Sequence, residues 1–600
     1  MPGIVGLFTE MPRDRAERQL MRMLDSMRHD STYRTGTWIN EGAGVYIGWT
    51  ARRGSFAECM PLCAKEGDRV LIFSGEDFPD PAEAARFKHR QPCGYLVEFA
   101  KDTASFPRQL NGRFHGLSVD LRTGQTLLFN DRYGMHRIYY HQRPEAFYFA
   151  AEAKAILANC ADTRGIDPTG LGEFISCGCT LGERSLFRDI SLLPPGAAWQ
   201  FREGVLARKG SFFDPAEWEQ AHPLDDEEFY RELRAVFSRN LPRYFKGPEP
   251  AAVSLTGGFD TRIIMAWHKP EPGSLPCYSF GGMFRECQDV KMARQIAHAC
   301  GQPHRVIGVG DDFLSQFPHY AERTVYLTDG CVEVKRSPDL YINERAAQIA
   351  PVRMTGNFGG EVLRGVRAFK PVDLEPGPFH PDFEMHIQGA VRTYQDAVCA
   401  HPVTFSAFRQ APWHNYGIVA LEESQLALRA PYLDNDLIRT LYRAPLSALN
   451  RDAVSLRLIA DGNAEMARIR TDRGLGGTRH GLDVAMRRAW LEFTFKAEYA
   501  YDYGMPQWMA RIDHMFAPLR LERLYLGRHK FYHFRVWYRD ALAGYVREML
   551  LDSKTLSRPY LQREKVEYLV KAHIKGNRNY TSAIHKILTL EHIHRLFLDS

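Results

Sequence analysis

The sequence predicts two unlike architectures in one chain of 600 residues: an α+β unit of stacked antiparallel sheets over residues 1–205, then an α/β, helix-rich unit over residues 206–600. Three observations lead there. Short apolar runs separated by Gly and polar turns fill the first third, at Gly3 to Phe8, Gly44 to Trp49, Arg69 to Phe73, Gly116 to Leu121, Thr126 to Asn130 and Ala146 to Ala150. Later, the apolar run Ala251 to Leu255 meets a Gly-Gly turn and continues at helical spacing through Ile263, Ile264 and Trp267. A second apolar run (Leu275 to Phe280) and a helical pattern (Val290 to Cys300) follow, and strand, helix and strand in succession imply a parallel sheet.

Taken in order, helical runs at Ala16 to Met27 and Pro81 to Phe87 supply covering layers for the first sheets. From Asp225 a helix is expected, with Asp225 or Asp226 as its cap and Phe229, Leu233, Val236 and Phe237 on one face. The tail Lys530 to Arg539 interleaves aromatics with cations. It reads first as an amphipathic helix whose aromatics pack, and second as a stacking or anion-holding surface.

Composition narrows the class. The chain is 44% hydrophobic and 25% charged, and its net charge of +5 is small beside 77 basic and 72 acidic side chains. No nucleic-acid or membrane partner is demanded. The eleven cysteines are scattered, with no Cys-x-x-Cys pair, so they are expected to be reduced thiols in a cytoplasmic protein rather than metal ligands. Neither a signal peptide nor a bilayer-long apolar run is visible.

The stretch Thr256-Gly257-Gly258-Phe259-Asp260-Thr261 carries the chemistry. Two glycines let backbone N–H groups approach a ligand, and a following helix presents unpaired N–H groups and the positive end of its dipole to an anion. Thr256 and Thr261 add hydroxyl donors. The absence of Gly-Lys-Ser/Thr excludes a Walker A loop. A tight βα connection without a ligand would look the same.

The stretch closely resembles the Ser-Gly-Gly-x-Asp-Ser pyrophosphate (PP) loop of the asparagine synthetase family. Five blocks of the first third resemble that family's glutaminase domain in order: Met1 to Gly6, Phe73 to Glu76, Leu110 to Phe114, Asn130 to Tyr140 and Phe149 to Lys154. Leu181 to Gly196 resembles the segment joining the two domains. The resemblance implies an N-terminal-nucleophile hydrolase fold, then an ATP-pyrophosphatase (PP-loop) domain with a helical C-terminal extension. Where the family has its nucleophilic cysteine this chain has Pro2, and Ser74 stands for the Asn that helps the oxyanion. A first domain that does not hydrolyse glutamine is expected, retained as a scaffold that shapes the synthetase's entrance.

Farther on, Asp289 and His304 match family positions, and Thr355-Gly356-Asn357-Phe358-Gly359-Gly360-Glu361 to Gly365 resembles the second nucleotide motif, Ser-Gly-x-Gly-x-Asp-Glu-x-x-x-Gly. Its metal-binding Asp falls on Gly360. Leu428 to Asn435 resembles Arg-Val-Pro-Phe-Leu-Asp through Arg429 and Asp434, which are expected to tie helices around the site. Ala427 stands where asparagine synthetases place a glutamate, which removes support for aspartate as substrate.

The resemblance therefore implies ATP bound by Ser254, Leu255, Thr256, Gly257, Gly258, Asp260, Thr261, Phe280, Thr355 and Gly356. Mg²⁺ would sit on Asp260 and Glu361, and a first-turn helix carboxylate is the alternative role for Glu361. Arg473 is the nearest cation to the family's pyrophosphate lysine, so Asp260, Glu361 and Arg473 are the catalytic candidates.

The implied reaction is amide formation through an acyl-adenylate. The substrate is a small molecule or peptide bearing a carboxylate and an amine, as in the β-lactam synthetases and lasso-peptide cyclases, relatives that also lack the cysteine. The alternatives are ammonia-dependent amidation of a small-molecule or sugar carboxylate, or a homologue that binds nucleotide without turnover. Oligomeric state stays open, a homodimer among the options.

Overall fold

The computed structural model describes residues 2–64, 66–80, 93–102, 106–372, 377–449, 451–477, 482–516 and 519–599. Its first third holds two antiparallel six-stranded sheets. One contains β1 (Gly3–Thr9), β2 (Tyr33–Asn40), β3 (Val45–Arg52), β8 (Tyr139–Gln142), β9 (Ala146–Ala150) and β10 (Ser191–Leu192), in the order β10-β8-β9-β1-β3-β2. The other contains β4 (Leu62–Cys63), β5 (Arg69–Asp77), β6 (Gly112–Asp120), β7 (Gln125–Asn130), β11 (Ala198–Arg202) and β12 (Val205–Arg208), in the order β12-β11-β7-β6-β5-β4.

Alternation along β1 explains why the sheets stack. Ile4 and Phe8 enter the core between the sheets, where the Phe8 and Phe201 rings lie 3.9 Å apart. Val5 and Leu7 point the other way, toward Leu20, Met23 and Leu24 of the helix Arg13–Ser26. Each buried face thus meets an apolar layer.

The stacked antiparallel sheets match the sequence expectation. Two details differ. β5 runs on to Asp77, because its ladder with β6 continues to the pair Asp77 and Gly112. It therefore carries Ser74, Gly75 and Glu76 on a strand. Gly75 is required there, since its φ is +104° and a Cβ would lie 2.2 Å from the Arg113 carbonyl. Second, the cysteines are not all free: Cys59 is bonded to Cys93, as the chain folds back on itself and brings the two together. The expected helix at 81–87 lies outside the described residues.

In the rest of the chain a five-stranded parallel sheet runs β15-β14-β13-β16-β17, built from β13 (Ala251–Ser254), β14 (Cys277–Gly282), β15 (His304–Val309), β16 (Val352–Met354) and β17 (Ala427–Arg429). Helices Asp260–His268 and Gln288–Ala299 make its first crossovers. Asp225 caps the helix Asp226–Tyr244 by accepting from the Glu227 and Glu228 N–H groups at 3.0 and 2.8 Å.

The aromatic and basic tail is mostly core. Phe534, Trp537 and Tyr538 are buried, and Lys530 and Arg535 pair with Asp502 and Asp513. No helix among the described residues is long and apolar enough to cross a membrane.

Candidate functional site

β13 ends at Ser254 and β16 at Met354, so the loops after them, 255–259 and 355–358, meet at the carboxyl edge of the parallel sheet. Ligands of open parallel sheets bind at that edge. A cleft of about 460 Å³ opens there, lined by Ser254, Thr256, Asp260, Thr261, Phe280, Thr355, Gly356 and Glu361 among others. The structure thus gathers eight of the sequence's candidates around one opening.

Close packing joins the two loops. A Cβ on Gly356 would lie 2.7 Å from the Asp260 Cβ, and one on Gly359 would lie 2.7 Å from its carboxyl carbon. Only glycine lets the second motif come this near. Phe358, buried and left-handed at φ +71°, turns the chain so that the helix Gly359–Arg364 starts against Asp260. The Tyr432 hydroxyl donates to the Asp260 carbonyl at 2.7 Å and fixes that turn from the third side.

The cradle is held from behind. Buried Arg262 donates to the carbonyls of Gly257 at 3.1 Å and Arg470 at 3.2 Å. Leu255 is buried and donates its N–H to the Tyr278 carbonyl at 2.7 Å, so it shapes the loop from behind the cleft. The Thr256 and Thr261 hydroxyls lie 3.4 Å apart, and the Gly258 N–H reaches the Thr256 hydroxyl at 3.4 Å. The Ser254 hydroxyl accepts from Arg353 at 2.9 Å, and Arg353 also pairs with Glu422 at 3.1 Å.

Two acidic groups face this loop. The Gly257 N–H donates to Asp289 at 2.8 Å, and a Cβ on Gly257 would lie 2.8 Å from that of Asp472. Burial, with the Asp472 charge beside it, pushes the Asp289 carboxyl up to about 7. Asp289 thus holds one of the N–H groups that an anion would use.

The metal and cation expectations need correcting. Arg364 grips both Asp260 oxygens, at 2.8 and 3.1 Å. Glu361 accepts from the Asn415 amide at 3.1 Å, and burial raises its carboxyl above the ordinary range, with the Asp260 charge adding to the rise. No group of three or more His, Cys, Asp or Glu among the described residues is arranged to hold a metal. As folded, these residues do not fit a resident Mg²⁺, because a guanidinium already satisfies the carboxylate that would bind it.

Arg364 is the residue of this cluster that sequence reasoning passed over, and it pairs with Asp260. The signal was present: Gly360 lacks the family's carboxylate, and Arg364 lies one helical turn on, where i and i+4 side chains share a face. Its guanidinium lies 3.1 Å from where a Gly360 Cβ would be. Arg473 also departs from expectation, since its guanidinium stacks 4.0 Å over the Phe495 ring and does not line the cleft. Its neighbour Asp472 is the residue that touches the cradle.

A second pocket sits in the first third, lined by Pro2, Ser74, Gly75, Glu76, Arg113 and His136, and by Glu423 and Ala427 from the later chain. The Ser74 hydroxyl is buried there without a hydrogen-bond partner among the described residues. Arg429 joins the two sites. Its side chain donates to both Glu76 oxygens at 2.6 and 2.9 Å, and its carbonyl accepts from the Thr355 N–H at 3.0 Å. Asp434 caps the helix Asn435–Leu441, accepts from Tyr244 at 2.9 Å and pairs with Arg243.

Residues 1–212 match the family model of the glutamine amidotransferase domain. Part of the chain is similar to asparagine synthetase [glutamine-hydrolyzing] 1 of Bacillus subtilis (strain 168), at 21% identity over 401 residues, 63% of this chain and 61% of that protein. It thus spans about three fifths of that relative's length. Among solved structures, glutamine phosphoribosylpyrophosphate amidotransferase from B. subtilis, complexed with ADP and GMP, aligns at 11% identity and TM-score 0.26 over 51% of this chain and 65% of its own. An allosteric regulatory enzyme of purine biosynthesis aligns at 9% identity and TM-score 0.26, over 51% of this chain and 80% of its own.

Proposed function

We propose that the chain is an ATP-dependent carbon–nitrogen ligase that forms AMP and pyrophosphate and does not hydrolyse glutamine. The observation that carries this is the meeting of the Thr256–Thr261 loop and the Thr355–Glu361 loop in one cleft at the carboxyl edge of a parallel sheet. In this reading the hydroxyls, backbone N–H groups and helix N-terminus of the cleft receive the phosphates, and the Phe280 ring on its wall receives adenine.

In this reading ATP arrives as its magnesium salt, the metal travelling with the substrate. A carboxylate oxygen attacks the α-phosphorus, the bond to the β-phosphate oxygen breaks, and pyrophosphate leaves into the Thr256–Thr261 cradle. A neutral amine then attacks the acyl carbon, AMP departs with the electron pair of the acyl–oxygen bond, and the amine's proton passes to solvent. Binding and preorganised charge supply most of the acceleration. Pro2 and Ser74 leave the first pocket without a nucleophile, so the amine is external or sits on the same substrate, as in the β-lactam synthetases and lasso-peptide cyclases.

Mixing the protein with ATP, Mg²⁺ and a panel of carboxylic acids and amines should release pyrophosphate, and Asp260→Ala should not. Failure of the wild-type chain to bind ATP would sink the proposal and leave the scaffold reading.

A further inference from the structure

Beyond the nucleotide cleft the chain encloses a larger cavity of about 910 Å³, which shares Arg336, Ala368, His414 and Ile418 with the cleft. Its charge is one-sided. Among the described residues Lys335, Arg336, Arg367, Lys370 and Lys586 line it, against the single carboxylate of Glu333. Glu333 is spent on Lys335 at 2.9 Å and Lys586 at 3.0 Å, and Arg336 pairs with Asp339 at 3.2 Å. Arg367 and Lys370 are exposed and form no ion pair among the described residues.

The walls also carry polar groups that lack partners. Ser176 Oγ, Tyr503 Oη and His585 Nε2 are buried without a hydrogen-bond partner among the described residues, and all three residues line this cavity. His585 is held in place by its other nitrogen, 2.9 Å from the Tyr538 hydroxyl. Buried polar groups are nearly always satisfied, so three orphans on one cavity call for an oxygen-rich occupant.

We infer that this cavity binds the acyl substrate, and that the substrate is a polyanionic carboxylic acid. One carboxylate reaches the nucleotide cleft while at least one further acidic group lies on Arg367 and Lys370. The inference rests on the adenylation reading of the cleft. The volume suits a ligand at the upper end of small-molecule sites, such as an acidic peptide or an acidic oligosaccharide. Among the described residues the two cations have no carboxylate partner, and an anion is steered toward them where a neutral acid is not. The same cations disfavour an ammonium, so they lower the pKa of the attacking amine. That supplies a means of keeping it neutral where Asn357 and Ala427 offer no base.

Calorimetry on the full chain tests this with citrate, a tetraglutamate peptide and digalacturonate as probes and propionate as the control. At least one polyanion should bind about tenfold or more tightly than propionate, and Arg367→Glu with Lys370→Glu should weaken it by about tenfold or more. ATP affinity should be unchanged in that variant. The tetrapeptide and the disaccharide distinguish the source of the charge. Arg367→Gln with Lys370→Gln gives the same comparison should charge reversal disturb folding. No preference for any of the three polyanions over propionate, or polyanion binding by both double variants as tight as that of the wild type, overturns the inference. Charge-sensitive polyanion binding without ATP binding would instead keep the cavity and remove the adenylation reading.

Discussion

The pocket at Pro2 and the cleft at Thr256 are joined through Arg429, yet they depart from the asparagine synthetase pattern in opposite ways. At Pro2 the residues of the resembling glutaminase pattern are replaced, and among the described residues the buried Ser74 hydroxyl has no hydrogen-bond partner. In the cleft the missing carboxylate at Gly360 coincides with a cation, Arg364, which lies over the vacated Cβ position and satisfies Asp260. The substitution there is accompanied by a cation that meets the remaining carboxylate. That difference supports the proposal that the cleft is the working centre.

The largest expected effect separates the two sites directly. Asp260→Ala takes the closest carboxylate from the half-buried Arg364, leaving it Ser455 at 3.2 Å and Asp452 at 3.8 Å, and removes the turn's acidic anchor, so pyrophosphate release should fall by about a hundredfold or more. Pro2→Ala and Ser74→Ala should leave that rate unchanged. A large loss at Pro2 together with a small one at Asp260 would reverse the assignment.

Next comes the link between them. Arg429 is 4% exposed and reaches Glu76 and the carbonyls of Tyr244 and Lys246. Arg429→Ala strands a partly buried carboxylate and opens a void, for a loss of about 3–5 kcal/mol in urea unfolding. A loss under about 1 kcal/mol would show that the pair behaves as a surface contact.

A smaller change should sharpen the comparison by restoring the family pattern. Gly360→Asp with Arg364→Gly places a second carboxylate beside Asp260 and removes its guanidinium partner. The double variant should half-saturate at about tenfold lower free Mg²⁺ than the wild type, on the order of 1.4 kcal/mol. An unchanged Mg²⁺ response would mean that Arg364 does not stand in the metal's place.

Much of this was legible in the sequence, for physical reasons that differ by element. β1, β5, β6 and β9 were found because they lie inside sheets, where apolar alternation is strong. β2, at a sheet edge with Arg34, Thr35 and Thr37 facing water, has no such signal. The cradle was visible because Gly-Gly between a strand and a helix is a local pattern. The Asp260–Arg364 pair spans 104 residues and Arg429–Glu76 spans 353, so no local window pairs them, and only the Gly360 and Arg364 spacing hinted at the first. Arg473 was misplaced because adjacency to a motif does not fix which of two neighbours, Asp472 or Arg473, turns toward the loop. The paired cysteines escaped notice for the same reason, being 34 residues apart.

The smallest effect lies in the pH response of the cradle. Asp289 faces Asp472 and the Gly257 N–H, with Arg473 partly offsetting the two carboxyls. Its folded pKa is raised, so the folded chain keeps a proton that the unfolded chain releases. Stability contributed by that proton is therefore complete below about pH 4 and declines as pH climbs to about 7, where the folded group ionises. Above that pH a charged Asp289 sits where phosphate must bind. Wild-type ATP affinity should consequently fall more between pH 6 and pH 8 than that of Asp289→Asn, by about a factor of ten across the interval. Titrating both proteins cancels the ionisation of ATP itself. Parallel pH profiles would show that Asp289 moves away from the loop when nucleotide enters, and that the Gly257 N–H is released to the phosphate without cost.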